Sequence, residues 1–208
     1  ISRGLVGSEM CIRDSNNKKY DRFRNRIIFP IHNLSGKVIA FGARIIKDEK
    51  NQPKYINSPE TSLYIKSKVL YGLYQSKNNI RKEDTCYLVE GYTDVISLFQ
   101  IEINNVVSSS GTSLTNEQIK LISRYTKNIT ILFDGDKAGI DASLRGMDLI
   151  LENDMNVKIV SFPEGEDPDS YSKKVGKDKF LEFIKLNETN LINYKINLLN
   201  NKYTKNIS

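Results

Sequence analysis

"TILFDGDKAG" runs from Thr130 to Gly139. The stretch "NITILF" (128–133) is almost wholly apolar, which suits a strand buried on both faces of a parallel sheet. Two aspartates, Asp134 and Asp136, come next, either side of Gly135. Then "AGIDASLRGMDLILEN" (138–153) places Ile140, Leu144, Met147 and Leu151 on one helical face. Strand, acidic turn and helix make one unit, and similar units flank it. Upstream, "TCYLVE" (85–90) predicts a strand, Gly91 turns the chain, and "YTDVISLFQ" (92–100) predicts a helix. "NNVVSSS" (104–110) is a short strand, and Thr115 with Gln118 forms a capping box ahead of "IKLISRY" (119–125). Downstream, "NVKIVSFP" (156–163) is a fourth strand, followed by the loop "EGEDPDS" (164–170) and two helical segments. Four strands alternating with helices over about 80 residues predict an α/β fold with a mostly parallel sheet flanked by helices.

The acidic residues obey that grammar. Glu90 ends the first strand, Asp134 and Asp136 come after the third, and Asp167 and Asp169 after the fourth. In a parallel α/β sheet the C-terminal strand ends share one edge, where ligands bind. Five carboxylates from distant parts of the chain should therefore converge. Like charges at close quarters repel, most strongly where water is excluded. Cations would neutralise such a cluster, and hard oxygen donors without His or Cys select Mg²⁺ or Mn²⁺. A metal pair of this kind can activate an attacking oxygen and stabilise a leaving one in phosphoryl transfer.

Each acid also has a plainer reading. Asp-Gly is a common turn. A calcium loop starting at Asp134 would have Gly139 correctly at its sixth position, but Ala138 and Arg145 stand where oxygen ligands are needed. The D-x-D of haloacid-dehalogenase-type phosphatases expects Thr or Val at Ala138 and has no use for Glu90. "EDPD" (166–169) fits a helix cap with Pro168 in the first turn. The convergence of three signals favours the metal-binding reading over these.

The first part of the chain is basic. "YDRFRNRIIFP" (20–30) and "VIAFGARII" (38–46) predict two strands, with "HNLSGK" (32–37) as the hairpin turn between them. "SLYIKSKVLYGLYQSKNNI" (62–80) has a partly helical spacing at Leu63, Val69, Leu70, Leu73 and Tyr74. Arg22, Arg24, Arg44, Lys54 and Lys66 are interleaved with Phe23, Tyr55 and Tyr64. Rings for bases and cations for phosphates suit a nucleic-acid single strand; the same aromatics suit a small core equally well. Ser108–Gly111 offers either a backbone-amide anion cradle or a simple loop. His32 reads as a turn or surface residue, and Cys86, inside an apolar strand, as core.

Composition bounds the function classes. The 208 residues carry a formal net charge of +6, with 27% charged and 39% hydrophobic residues, ordinary for a globular protein with a polyanionic partner. No apolar stretch approaches the roughly 20 residues of a membrane span. Two cysteines and one histidine exclude a disulfide framework and a zinc site. A reducing, cytoplasmic setting is expected. "ISRGLVGSEMCIRDS" (1–15) lacks a strand or helix period and differs in composition from the Lys-, Asn- and Ile-rich sequence after it. It is expected to be a non-native leader, similar to translated adapter sequence, on a fragment.

"EGYTD" (90–94), "FDGDKAG" (133–139) and "EDPDS" (166–170), in this order and spacing, resemble the Toprim domain shared by primases, topoisomerases and some nucleases. "YDRFRNRIIFPI" (20–31), "GKVIAFGARII" (36–46), "PKYINSPET" (53–61), "KSKVLYGLY" (66–74) and "SSSGTSLT" (108–115) narrow this to the catalytic core of bacterial DnaG-type DNA primases. The resemblance implies an enzyme that makes short RNA primers on single-stranded DNA from ribonucleoside triphosphates. It implies Glu90 as metal ligand and general base, Asp134 and Asp136 as the metal-binding pair, and Asp94, Asp167 and Asp169 as secondary acids of that site. Arg22, Arg24, Arg44, Lys54, Tyr55 and Lys66 match the ridge that handles template and nucleotide. It further implies a monomer that meets the replicative helicase through a domain absent here. Ala43 and Ser67 stand where the family prefers glycine. The family's zinc-binding domain has no ligand set in this sequence.

The expected organisation is a leader (1–15), a basic mixed subdomain (16–83), a Toprim domain (84–170) and a helical segment (171–208). Two rival functions stay open at this point. One is a Toprim nuclease or topoisomerase; the other is a single-strand-binding module without catalysis.

Overall fold

The computed structural model describes residues 11–13, 19–47, 52–111, 113–134, 137–163, 165–194 and 196, with side chains described except at 11–13, 19–21 and 137–141. The chain divides into two compact units between Lys66 and Ser67.

The first unit is antiparallel. β1 (Cys11–Arg13) pairs with β2 (Lys19–Asp21). β3 (Arg26–His32), β4 (Val38–Ile45) and β5 (Tyr55–Asn57) form a sheet in the order β3-β4-β5. The hairpin expected at residues 32–37 is present. Asn33 Oδ1 accepts hydrogen bonds from the amides of Ser35 and Lys37, both 3.0 Å, and Gly36 takes a φ of 82° that favours glycine. Phe23, Phe41 and Ala43 form a small core, with the Phe23 and Phe41 rings edge-to-face at 6.3 Å. Ser58 closes β5 onto β4: its hydroxyl accepts the Phe41 amide at 3.0 Å.

The second unit is the α/β layer. In chain order it contains α1 (Leu73–Glu83), β6 (Cys86–Val89), α2 (Tyr92–Gln100), β7 (Val106–Ser108), α3 (Asn116–Ile122), β8 (Asn128–Phe133), α4 (Lys137–Glu152), β9 (Asn156–Ser161), α5 (Pro168–Val175) and α6 (Lys177–Asn187). Its four strands run parallel in the order β7-β6-β8-β9. β8 is buried from Ile129 to Phe133, as the apolar run predicts. The Thr115–Gln118 capping box is also present, with Thr115 Oγ1 accepting the Gln118 amide at 3.2 Å. Val89, Leu98, Leu132, Val160, Phe162 and Phe180 share one core. No helix among the described residues is long and apolar enough to cross a membrane.

Three details differ from the sequence reading. The helix expected from Leu63 begins at Leu73, after Gly72 at φ 83°, and Leu63 is exposed. That helix lies with the second unit, ahead of the boundary expected at residue 83. Ser76 Oγ donates to Val106 O at 2.6 Å, and Tyr71 bridges Ser108. On α4 the buried positions are Ser143, Gly146, Met147 and Ile150, while Leu151 is 44% exposed. Apolarity alone pointed one residue too far round the helix, because small residues make the contact. A Cβ at Gly146 would already lie 3.4 Å from Ile131 Cδ1. Finally, α5 and α6 are part of the sheet's cover: Phe180 is fully buried and stacks near Phe162 at 6.0 Å.

Candidate active site

The site is built on the C-terminal edge of the parallel sheet. β6 delivers Glu90, and Gly91 starts α2. The Gly91 amide donates to Asp94 Oδ2 at 2.8 Å. A Cβ at Gly91 would lie 3.3 Å from that same oxygen, so glycine gives the carboxylate room to fold back over the helix start. Asp94 is thereby only 7% exposed. Burial pushes its carboxyl up to about 7; the Gly91 amide opposes this, and the charges of Asp167, Asp134 and Asp169 reinforce it. Acids from two other strand ends, those of β8 and β9, thus act on one buried carboxyl.

Each remaining acid has its own anchor. Asp134 comes directly after β8 and is half-buried. Asp167 caps α5, accepting the Ser170 amide at 2.6 Å, with Pro168 in the first turn. The capping reading therefore holds for this residue, and its carboxylate also acts on Asp94. Asp169 accepts a hydrogen bond from Ser97 Oγ on α2 and pairs with Lys173 at 2.6 Å. Ser108 Oγ donates to the Glu90 carbonyl at 2.6 Å and accepts the Ser110 amide at 2.8 Å, tying the ends of β6 and β7 together. Asp136 lies outside the described residues. Cys86 is fully buried and burial raises its thiol, so it is core, as expected.

Among the described residues no group of three or more His, Cys, Asp or Glu is disposed to hold a metal ion. The donor chemistry nevertheless fits a hard cation. The acids are carboxylates only, and their mutual repulsion, visible at Asp94, is what a divalent cation relieves.

The predicted cations all lie in the first unit. Arg22 Nη2 donates to Asn57 O at 3.3 Å, and the Arg44 guanidinium sits 6.0 Å from the Tyr55 ring centre. Arg24, Lys54 and Tyr55 are exposed, and Lys66 is half-buried. The Nε atoms of Arg22 and Arg44 are buried without a hydrogen-bond partner among the described residues. The aromatic expectation holds only in part: Phe23 and Tyr64 are each 3% exposed and are core, which leaves Tyr55 as the available ring.

Sequence reasoning passed over three residues. Arg26 donates to Pro53 O at 2.9 Å and Lys54 O at 3.4 Å, fastening the start of β5. Ser97, in an apolar helix pattern, gave no sign of its bond to Asp169. Arg145 lines a cavity with Glu90 and Ser109. Its signal was present: Ala142, Arg145, Gly146 and Leu149 form an i, i+3, i+4, i+7 stripe with one cation in it.

An acid-lined edge on a parallel sheet, with a glutamate after the first strand and aspartates after the third and fourth, defines a Toprim-type domain. Residues 87–172 match the family described as Toprim-like, and residues 2–77 match the N-terminal domain of the DNA primase catalytic core. The latter match begins inside the stretch read as a leader. The chain is 49% identical over 201 residues to the DNA primase of Clostridium acetobutylicum, covering 94% of this chain and 33% of that one. It is 44% identical over 183 residues to the DNA primase of Haemophilus influenzae, covering 86% and 30%. Among solved structures, a DNA primase domain from Pseudomonas aeruginosa aligns with a TM-score of 0.85 at 40% identity, covering 94% of this chain and 61% of that one. A DnaG primase catalytic domain bound to ssDNA aligns at 0.83 and 37%, covering 94% and 63%. The chain belongs to the DnaG-type DNA primase family, as a segment holding the N-terminal part of the catalytic core and the Toprim domain. It spans about a third of the length of the curated relatives it matches. The match over residues 2–77 sets it apart from the nucleases and topoisomerases that share only the Toprim domain.

Proposed function

We propose that this chain is the nucleotidyl-transfer core of a DNA primase, joining ribonucleotides on a single-stranded DNA template. The observation that carries the reading is the match of residues 2–77 to the N-terminal domain of the primase catalytic core ahead of a Toprim-like match at 87–172, whose sheet edge carries Glu90 and the buried Asp94. In the reaction a ribose 3′-oxygen bonds to the α-phosphorus of an incoming nucleoside triphosphate. The α–β bridging P–O bond breaks, and pyrophosphate leaves. In this reading Glu90 takes the 3′-hydroxyl proton and passes it to solvent. Asp94 keeps the start of α2 closed on the Gly91 amide, and Ser97 holds Asp169.

Glu90, Asp134, Asp136 and Asp167 would hold Mg²⁺ or Mn²⁺, which supplies charge neutralisation at the transferring phosphate when bound. Arg24, Lys54, Tyr55 and the Arg44 guanidinium are the groups offered to template and nucleotide. Asp169, already bonded to Ser97 and Lys173, supports the site rather than ligating. A monomeric cytoplasmic enzyme that meets the replicative helicase through a domain outside this segment completes the reading.

The test is ribonucleotide incorporation on single-stranded DNA with Mg²⁺ or Mn²⁺, beside Asp134→Ala. Metal-dependent RNA oligomers from the parent and none from the variant are expected. DNA nicking without nucleotides, or single-strand binding by a folded parent that never synthesises, overturns the reading.

A further inference from the structure

Glu90 forms one wall of a cavity of about 480 Å³ between the β7–α3 loop and α4, inside the roughly 300–1,000 Å³ typical of small-molecule sites. Its lining combines three kinds of group. Leu114, Phe133 and Leu149 are apolar; Glu90, Ser109 and Ser113 bring oxygens, and Arg145 brings the cation. Arg145 is exposed on α4, and none of the ion pairs among the described residues includes it. A complementary ligand carries an anion for Arg145, a flat or apolar body for the walls, and a hydroxyl toward the carboxylate. A nucleoside 5′-phosphate carries all three: phosphate, base and ribose, and 3′-hydroxyl.

We infer that this cavity binds the nucleotide that supplies the attacking 3′-hydroxyl, with Arg145 on its 5′-phosphate. The inference rests on the proposed primase reading for which of the two reacting nucleotides sits here. The group whose proton leaves must lie beside the base, and Glu90 is in the cavity wall. Leu114, Phe133 and Leu149 meet a base by its face, which all four bases present, so the site does not select among them. Arg145 is well suited to the phosphate because its planar fork matches two phosphate oxygens.

The experiment is isothermal titration of the 208-residue chain with AMP and with adenosine, in EDTA, so that metal-held triphosphate binding does not contribute. AMP should bind about tenfold tighter than adenosine, the gain of one charge-assisted contact. Arg145→Ala should abolish that difference while leaving adenosine unchanged, and Arg145→Lys should restore part of it. CMP, GMP and UMP should fall within about threefold of AMP, since a difference that small is well under one contact. Equal binding of AMP and adenosine by the parent, absence of binding by either, or a preference that survives in Arg145→Ala overturns the inference. The comparison of the two ligands on the parent needs no variant to fold. In primer extension, Arg145→Ala should raise KM for the primer end and not for the incoming triphosphate; the reverse pattern also overturns it. Phosphate-dependent binding without template-directed synthesis sinks the primase reading and leaves the nucleotide pocket standing. Synthesis without phosphate-dependent binding sinks the pocket alone.

Discussion

The two units of this chain handle charge in opposite ways. In the parallel unit, carboxylates that are distant in sequence are gathered by topology. Every strand ends on the same edge, so Asp134 and Asp167, thirty-three positions apart, both act on Asp94 at the start of the helix that follows β6. In the antiparallel unit, cations that are close in sequence are dispersed by the pleat and by local bonding. Arg22 and Arg26 both reach backbone carbonyls flanking or within β5, while Arg24 between them is exposed. A parallel sheet converts order along the chain into a site; an antiparallel hairpin converts it into alternation. Charge in the first case accumulates at a cost in repulsion. In the second, part of it is absorbed into structure.

The largest expected effect tests the gathering. Glu90→Gln keeps the shape of the strand end and removes the proposed proton acceptor, so nucleotide incorporation should fall on the order of a thousandfold. Thermal stability should not fall, because a neutral amide of the same shape replaces a half-buried carboxylate. A steady-state primer assay beside a melting curve reads both. Near-normal synthesis would remove Glu90 from the reaction.

Next comes the packing that holds the edge in place. Phe180 is fully buried against Phe162 and Tyr171, with ring centres 6.0 Å from each. Phe180→Ala should cost about 3–5 kcal/mol in urea unfolding. A cost under about 1 kcal/mol, the scale of an ordinary surface change, would show that α6 does not share the sheet's core.

Asp94 turns the comparison into a pH dependence. Its carboxyl stands at about 7 in the folded chain against an ordinary 3.8. The folded state therefore binds this proton more tightly than the unfolded state. That contribution is fully present below the ordinary value and is lost as pH rises toward 7. In Asp94→Asn the side chain is neutral at every pH and can still accept the Gly91 amide. The variant should match the parent near pH 4 and exceed it by a few kcal/mol at most near pH 8, measured by urea unfolding in EDTA, on the order set by the linkage of protonation to folding. Mg²⁺ should narrow the gap, since a cation favours the charged parent. Parallel stability curves across that pH range would mean that Asp94 titrates like an exposed acid.

Legibility in the sequence divides along the same line. The α/β layer and its strand ends were legible, because a buried parallel strand is an apolar run and the residues at its C-terminal end must lie on the shared edge. The capping box at Thr115 and the helix cap in "EDPD" were legible as short-range patterns. The finer packing was not. Gly146 and Ser143 face the sheet because they are small, which no count of apolar residues reveals. Phe23 and Tyr64 look like a stacking platform in one dimension and are core in three. Ser97 and Arg26 act through partners 72 and 27 positions away, contacts set by tertiary packing.

The smallest expected effects lie among the cations, where the contrast between dispersed and absorbed charge is sharpest. Arg24 and Arg26 are two residues apart. Arg24 is exposed, whereas Arg26 donates to the carbonyls of Pro53 and Lys54. If Arg24 meets a template phosphate, Arg24→Ala should reduce the slope of log affinity against log salt for single-stranded DNA by about 0.7. Its stability should stay within about 0.5 kcal/mol of the parent. Arg26→Ala should do the reverse: the slope is kept, and about 1 kcal/mol of stability is lost with the hydrogen bonds to β5. Lys54→Ala should behave like Arg24→Ala, because its ammonium is exposed and only its carbonyl serves the fold. If Arg26→Ala changed the slope and Arg24→Ala did not, the arginine bonded to the backbone would be the one that reads phosphate. The division of the basic strand into structural and ligand-facing cations would then have to be redrawn.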